Sequence, residues 1–228
     1  MGSPKVFFTA RYAVLPGYGL FDESNKDYKA YLDRFAAFCR RKKIDVAVLC
    51  GGHTNVKLPE KSEAGTMADY LRPLVPGSTR LELEEHSTNS IENIRNARNY
   101  VDLAEGNAVF FISDSVRFVK HYFTILSLWF GLSKKEVLLQ LADIVEKTYE
   151  NPRKKSINIE ARDMNRLLAY KNVKVVIDKL HRNYAHDGLH VIVTEAIEID
   201  ALYDPEIENA IRRYNRTKEE ARAKFGLK

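Results

Sequence analysis

Three short stretches of this sequence carry residue types able to hold an anion. Gly51-Gly52 combines two residues without side chains, Ser62-Glu63-Ala64 places a hydroxyl beside a carboxylate, and Ser87-Thr88-Asn89-Ser90-Ile91-Glu92-Asn93 is dense in hydroxyls and amides. Glycines let a backbone approach a ligand closely. A helix start presents free N–H groups and a partial positive charge, where phosphates and carboxylates collect. Each stretch also has a purely structural reading. The glycine pair can be a turn, Ser62 an N-cap, and Asn89 or Ser90 with Glu92 or Asn93 a capping box that satisfies the helix's own donors.

The elements that must position these residues follow from periodicity. Val6–Leu15 is rich in β-formers and reads as a strand, followed by the turn residues Pro16-Gly17-Tyr18-Gly19. Tyr28, Tyr31, Leu32, Phe35, Phe38 and Cys39 recur at helical spacing between Asp27 and Lys43. Asp45–Cys50 is a short apolar run, the mark of a strand covered on both faces. A helix is expected from Ser62 to about Arg72, a strand over Thr79–Leu83, a helix over Ser90–Ala104, a strand over Ala108–Ser113 and a buried helix over Ser115–Trp129. This alternation predicts an α/β protein: a Rossmann-like three-layer sandwich with a mostly parallel sheet. Residues 5–130 are expected to form that ligand-binding domain. Residues 131–228 read as a mainly helical C-terminal extension packed on the core. Within it Val137–Val145 suits strand or helix, Asn158–Lys171 reads as helix, Val173–Ile177 and His190–Thr194 as strands or buried pieces, and Asp204-Pro205 as a helix start.

The order of the three stretches resembles a known family. Gly51-Gly52, then Ser62-Glu63-Ala64 with Met67, then Glu84-x-x-Ser87-x-Asn89-Ser90-x-Glu92-Asn93 is similar to the pattern of domain of unknown function 218, the YdcF-like proteins that include SanA and ElyC. Gly17 and Arg34 also stand where that family tends to place glycine and arginine. The likeness runs from about Val6 to Trp129. It implies a Rossmann-like fold and a pocket for a nucleotide-like ligand, with S-adenosylmethionine bound by some members and bacterial envelope maintenance associated with others. The family usually shows Thr-Ser-x-x-His-x-x-Arg after the fourth strand. Here Ile112-Ser113-Asp114-Ser115-Val116-Arg117-Phe118-Val119-Lys120 puts Arg117 at the histidine and Lys120 at the arginine. A guanidinium cannot exchange protons near neutral pH as an imidazole can, so this departure points to binding rather than to the family's chemistry.

In an open parallel sheet, ligands bind beyond the carboxyl ends of the strands. The expected site follows from that rule. Backbone N–H groups of Gly51, Gly52 and the helix starts near Ser62, Asn89 and Ser90 hold a phosphate or carboxylate. Glu63 bonds a ribose hydroxyl or serves as a general base, Arg34 and Arg117 supply positive charge, Asn93 orients the ligand and Asp114 lines the rim. A Gly-x-Gly-x-x-Gly after the first strand is missing, which argues against an ordinary NAD-dependent dehydrogenase. Cys50 beside the glycine pair is a conceivable nucleophile, although both it and Cys39 read most simply as buried small apolar residues. His53 follows the glycine pair and is a candidate ligand contact, while His86 and His121 read as surface or packing residues. His181, His186 and His190 have spacings that suggest a metal, but Gly188 interrupts the helix that would align them, and no metal is expected.

Composition narrows the function classes. The chain has 228 residues, 45% apolar and 29% charged, as folded domains do. Lysine and arginine number 36 against 31 acidic residues. The excess is modest and partly local, in runs such as Arg40-Arg41-Lys42-Lys43 at a helix end, so a solvated face is expected rather than a nucleic-acid surface. No window approaches the roughly 20 apolar residues of a membrane span, Met1–Lys5 lacks a secretory signal, and two cysteines suit a reducing compartment, so the expected place is the cytoplasm. The leading expectation is a binding protein, or an enzyme, for S-adenosylmethionine or another nucleotide-like anion. The alternatives are a hydrolase or transferase acting on a phosphorylated substrate with Glu63 as base, and a non-catalytic interaction module using the basic C-terminal helix.

Overall fold

The computed structural model describes residues 9–114, 117–140 and 168–178, together with Leu202 and Arg216. Chain order runs β1 (Arg11–Pro16), α1 (Lys26–Lys42), β2 (Val46–Cys50), α2 (Glu63–Leu71), β3 (Arg80–Glu84), α3 (Ser90–Ala97), a 3-10 turn (Arg98–Tyr100), β4 (Ala108–Asp114), α4 (Phe118–Phe130), β5 (Ala169–Tyr170) and β6 (Val173–Asp178). The sheet order is β3-β2-β1-β4-β6-β5. All neighbours are parallel except β5, which pairs antiparallel with β6. The chain first adds strands to one side of β1 and then to the other. The switch point therefore lies between the carboxyl ends of β1 and β4, where ligands settle in this architecture.

Alternation along each strand builds the three layers. Ala13 and Leu15 of β1 and Ala47 and Leu49 of β2 pack against Leu32 and Phe35 of α1 and Met67 and Leu71 of α2. Val14, Val46, Val48, Val109 and Phe111 face the other way, onto Ile94 of α3 and Ile125, Leu126 and Trp129 of α4. Every residue of β2 is buried, which is why its sequence is apolar throughout. A fully buried leucine such as Leu49 contributes about 1.5–3 kcal/mol relative to exposure.

Several expectations shift at their edges. β1 begins at Arg11 because Thr9 and Ala10 are tied to the turn at Gly106 and Asn107; residues 6–8 lie outside those described. The helix expected to run to Ala104 stops at Ala97. Arg98 Nη1 donates to the Val101 carbonyl, and the Asp102 carboxylate accepts the Ala104 N–H, a local bond that competes with helix. The helix α4 ends where expected, on Gly131 at φ 69°, whose N–H and that of Leu132 close the last turn. The basic run does sit in the last turn of α1, followed by Lys43 in the left-handed conformation.

Beyond residue 130 the sheet continues. Residues 134–140 are helical, which decides part of the ambiguous Val137–Val145 stretch. Ala169–Lys171, read from sequence as helix, is instead β5 and the start of a tight hairpin. Tyr170 pairs with Val173, and Lys171 takes φ 50°. The strand expected at Val173–Ile177 is present as β6, paired with β4 from Val109↔Val173 to Asp114↔Asp178. The expectations for 141–145, 158–167, His181, His186, His190–Thr194 and Asp204-Pro205 fall outside the described residues. Among the described residues no helix is long and apolar enough to cross a membrane.

Candidate functional site

The carboxyl edge of the sheet carries two clusters of buried ionisable groups, joined by the loop after β1. The first centres on Glu63 at the start of α2, which is 7% exposed. Its carboxylate accepts a short hydrogen bond from Thr54 Oγ1 and lies against Gly17 and Gly51. A Cβ at Gly17 would stand 2.6 Å from Glu63 Oε2, and one at Gly51 would stand 2.6 Å from Glu63 Cβ. Gly51 also has φ 148°, a conformation other residues avoid. These two glycines thus make room for the protein's own carboxylate.

That geometry corrects the expectation of an anion cradle at Gly51, Gly52 and the start of α2, whose backbone donors are already bonded within the protein. The Gly51 and Gly52 N–H groups donate to the carbonyls of Glu84 and Ser87, both at 2.9 Å. The Glu63 and Ala64 N–H groups donate to Gly52 and Gly51 carbonyls, and Gly65 N–H to Ser62 Oγ at 2.8 Å. At α3 the Asn89 side chain caps the Glu92 N–H at 3.0 Å, while the Glu92 carboxylate returns to the Thr88 N–H and hydroxyl. The capping reading of both motifs is the one the structure bears out. Asn93, expected to orient a ligand, is buried and bonds Ser87 Oγ instead.

Glu84, fully buried at the end of β3, holds this edge together. Its carboxylate accepts the His86 N–H at 2.9 Å, the Ser87 N–H at 3.1 Å, Ser87 Oγ at 2.6 Å and Asn96 Nδ2 at 3.0 Å. The next residue, Glu85, accepts Ser62 Oγ at 2.5 Å and so ties the loop to the α2 start.

The second cluster lies at the switch point. Asp114 ends β4 with no solvent exposure. Its Oδ1 accepts the Arg117 N–H at 2.7 Å, and its Oδ2 is 3.7 Å from Arg117 Nη1. The Arg117 guanidinium stacks 5.0 Å above the Tyr18 ring. Burial of the Tyr18 phenol, and then the neighbouring Asp114 carboxylate, push its pKa well above the usual value. Lys120 is 3% exposed and donates from Nζ to Ser90 Oγ at 3.1 Å. Gly17 and Tyr18 are consecutive, so two adjacent residues link the clusters, Gly17 lying beside Glu63 and the Tyr18 side chain reaching Asp114 and Arg117.

Of the residues expected in one site, Gly17, Gly51, Gly52, Ser62 and Glu63 meet in the first cluster. Asp114 and Arg117 form the second, with Ser90 reached through Lys120. Arg34 stands on the α1 side of the sheet, where its Nε meets both carboxylate oxygens of Asp178, the β6 residue paired with Asp114, at 3.1 and 2.9 Å. Tyr18, Thr54, Glu85 and Asp178 were missed. Tyr18 and Asp178 had a signal: each stands at or just past the carboxyl end of an expected strand, the position this architecture uses. Thr54 and Glu85 had none.

Cys50 does not meet the requirement for a nucleophile: burial, and then Glu84, push its thiol pKa well above the usual range. Burial likewise pushes Cys39 up to about 12. His53 is exposed and its Nδ1 lies 2.9 Å from the Pro59 carbonyl. Among the described residues no group of histidine, cysteine, aspartate and glutamate is arranged to hold a metal.

His121 packs inside, its Nδ1 2.8 Å from Ser113 Oγ and its ring edge on Phe111. Burial, then the charges of Lys120 and Arg117, hold its pKa well below 6.5. The folded state therefore keeps a neutral ring that the unfolded state protonates. The resulting stability is complete above a pH of about 6.5 and is lost as pH falls below it. Urea denaturation between neutral pH and about pH 5, above the ordinary carboxylate range, should show a falling midpoint. His121→Leu should flatten that slope, and an unchanged slope in the variant would assign the effect elsewhere.

No protein-family profile, curated protein or solved structure matches the chain.

Proposed function

We propose that this chain binds a nucleotide-like anionic ligand at the carboxyl edge of its sheet, in the crevice between the loops after β1 and β4, as the YdcF-like motif resemblance implies. The observation that carries the reading is the set of charges buried along this edge, all under 9% exposed: Asp114, Arg117 and Lys120 at the topological switch point and Glu63 beside it at the start of α2. Taking charges out of water opposes folding unless they are paired, and such groups gather where a protein must meet charge. The donor set suits a nucleoside that carries both hydroxyls and an anionic group, S-adenosylmethionine included. Glu63 accepts from ribose hydroxyls or an amine, and Arg117 and Lys120 donate to a carboxylate or phosphate. With the first backbone donors of α2 already used, the side-chain cations carry the recognition. The two free, buried thiols suit a reducing compartment, and the reading places the protein in the cytoplasm.

Calorimetric titration with S-adenosylmethionine, then ATP, GTP and sugar nucleotides, tests this. Micromolar binding is expected for one class. Arg117→Gln should weaken it about tenfold or more, the worth of a lost charge-assisted hydrogen bond. Heat from none of these ligands would remove the reading.

A further inference from the structure

Glu63 is buried and its carboxylate already holds the Thr54 hydroxyl, so a ligand hydroxyl reaches that oxygen only by displacing it. Thr54 belongs to the loop of residues 53–61, whose two ends are clamped together. Glu63 N–H donates to the Gly52 carbonyl at 3.1 Å, and Ala64 N–H to the Gly51 carbonyl at 2.9 Å. Inside, the loop bonds to itself. The Asn55 side chain accepts the Lys57 N–H, the Asn55 carbonyl the Leu58 N–H, and the Leu58 carbonyl the Lys61 N–H. This is the plan of an Ω-loop, a compact surface unit whose ends lie together. Packing does not hold it down: every residue but Asn55 is exposed, and the apolar Val56 is 92% exposed. Among the described residues, the one hydrogen bond that leaves the loop runs from Thr54 Oγ1 to Glu63. A segment with so few buried contacts opens at little cost.

We propose that Thr54 holds the place of a ligand hydroxyl on Glu63, and that loop 53–61 is a latch released by nucleotides bearing ribose hydroxyls. The inference rests on the nucleotide reading of the carboxyl edge. A ribose hydroxyl has the donor chemistry of the threonine side chain, so binding exchanges one O–H···carboxylate bond for another. The ribose offers two hydroxyls where Thr54 offers one, which tips the exchange toward the ligand. Glu63 stays satisfied in both states, and the loop loses its only hydrogen-bonded tie among the described residues. The shut latch lowers apparent affinity by the fraction of molecules in which it is open. A nucleotide without ribose hydroxyls leaves it shut.

The test is calorimetry on the full chain with ATP, GTP and S-adenosylmethionine, each beside its 2′,3′-dideoxy analogue. Thr54→Val keeps the side-chain shape and removes the hydroxyl. It should bind the ribose form about tenfold tighter than wild type, since no bond to Glu63 must first be broken. Its affinity for the dideoxy form should be unchanged. Thr54→Ser keeps the hydroxyl and should restore wild-type affinities, which separates the latch from a general disturbance of the loop. Loop movement has its own readout. Both native cysteines are buried, so Val56→Cys offers one accessible thiol for an environment-sensitive dye. The dye should shift with the ribose form and stay still with the dideoxy form. A Thr54→Val protein that gains for neither form, or equally for both, would overturn the latch and leave the nucleotide reading standing, as would an unmoved dye. Heat from none of these compounds in either protein would remove both.

Discussion

Replacing Glu84 by alanine is expected to lower folding stability by about 3–5 kcal/mol, measured by urea denaturation. The residue has no exposure, and its two oxygens accept from two backbone N–H groups, a serine hydroxyl and an asparagine amide. Truncation removes all four acceptor positions while leaving the donors in place, and stranded buried donors cost more than an intact bond contributes. Such a loss is a large part of the ~5–15 kcal/mol that holds a domain together. Glu84→Gln should fall between the two, since it keeps one acceptor oxygen but turns a new N–H toward existing donors. The loop that Glu84 anchors carries the Ser87 carbonyl onto Gly52 and Glu85 onto Ser62, so the same substitution should loosen the start of α2. A loss below about 1 kcal/mol would show that the loop finds other acceptors.

Asp114→Ala should be comparably damaging, by about 3–5 kcal/mol, because it leaves Arg117 as a buried cation without its carboxylate. The Arg117 N–H loses its acceptor as well. Removing both charges in Asp114→Ala/Arg117→Met should recover most of the loss, since a methionine fills similar space without needing a counter-charge. The double-mutant cycle is the measurement. Additive losses would mean that the two residues act independently and that the 3.7 Å contact contributes little.

The elements of the first half were legible because their signals are local. The apolar run of β2, the helical spacing of α1 and the alternating strand–helix order each follow from side chains within one element, and the structure has them. The caps at Ser62 and Asn89 were legible for the same reason, since an N-cap bonds a residue three positions on. What those helix starts do was not. Whether an N–H is open to a ligand depends on which loop carbonyls come near, and here Gly51 and Gly52 return to α2 from the end of β2. Arg34 shows the same limit, because its partner Asp178 is 144 residues away. The β5–β6 hairpin was half seen: Val173–Ile177 has a strand's composition, but two-residue β5 has too few positions to show a period.

The packing of Gly17 and Gly51 around Glu63 has a consequence for descent. A side chain at either glycine would collide with the Glu63 side chain, so neither glycine can be replaced while Glu63 stands. They form a single inherited unit, drawn from the ends of two strands and the start of a helix. Distant relatives that keep this arrangement should keep all three together, and those that lose the glutamate gain room at position 17 only, since Gly51 stays fixed by its φ of 148° and by the Cβ that any residue but glycine carries at 63. Glycine at 51, with glycine at 17 only where 63 is glutamate, is therefore the mark by which kinship to this chain can be traced where overall similarity has faded.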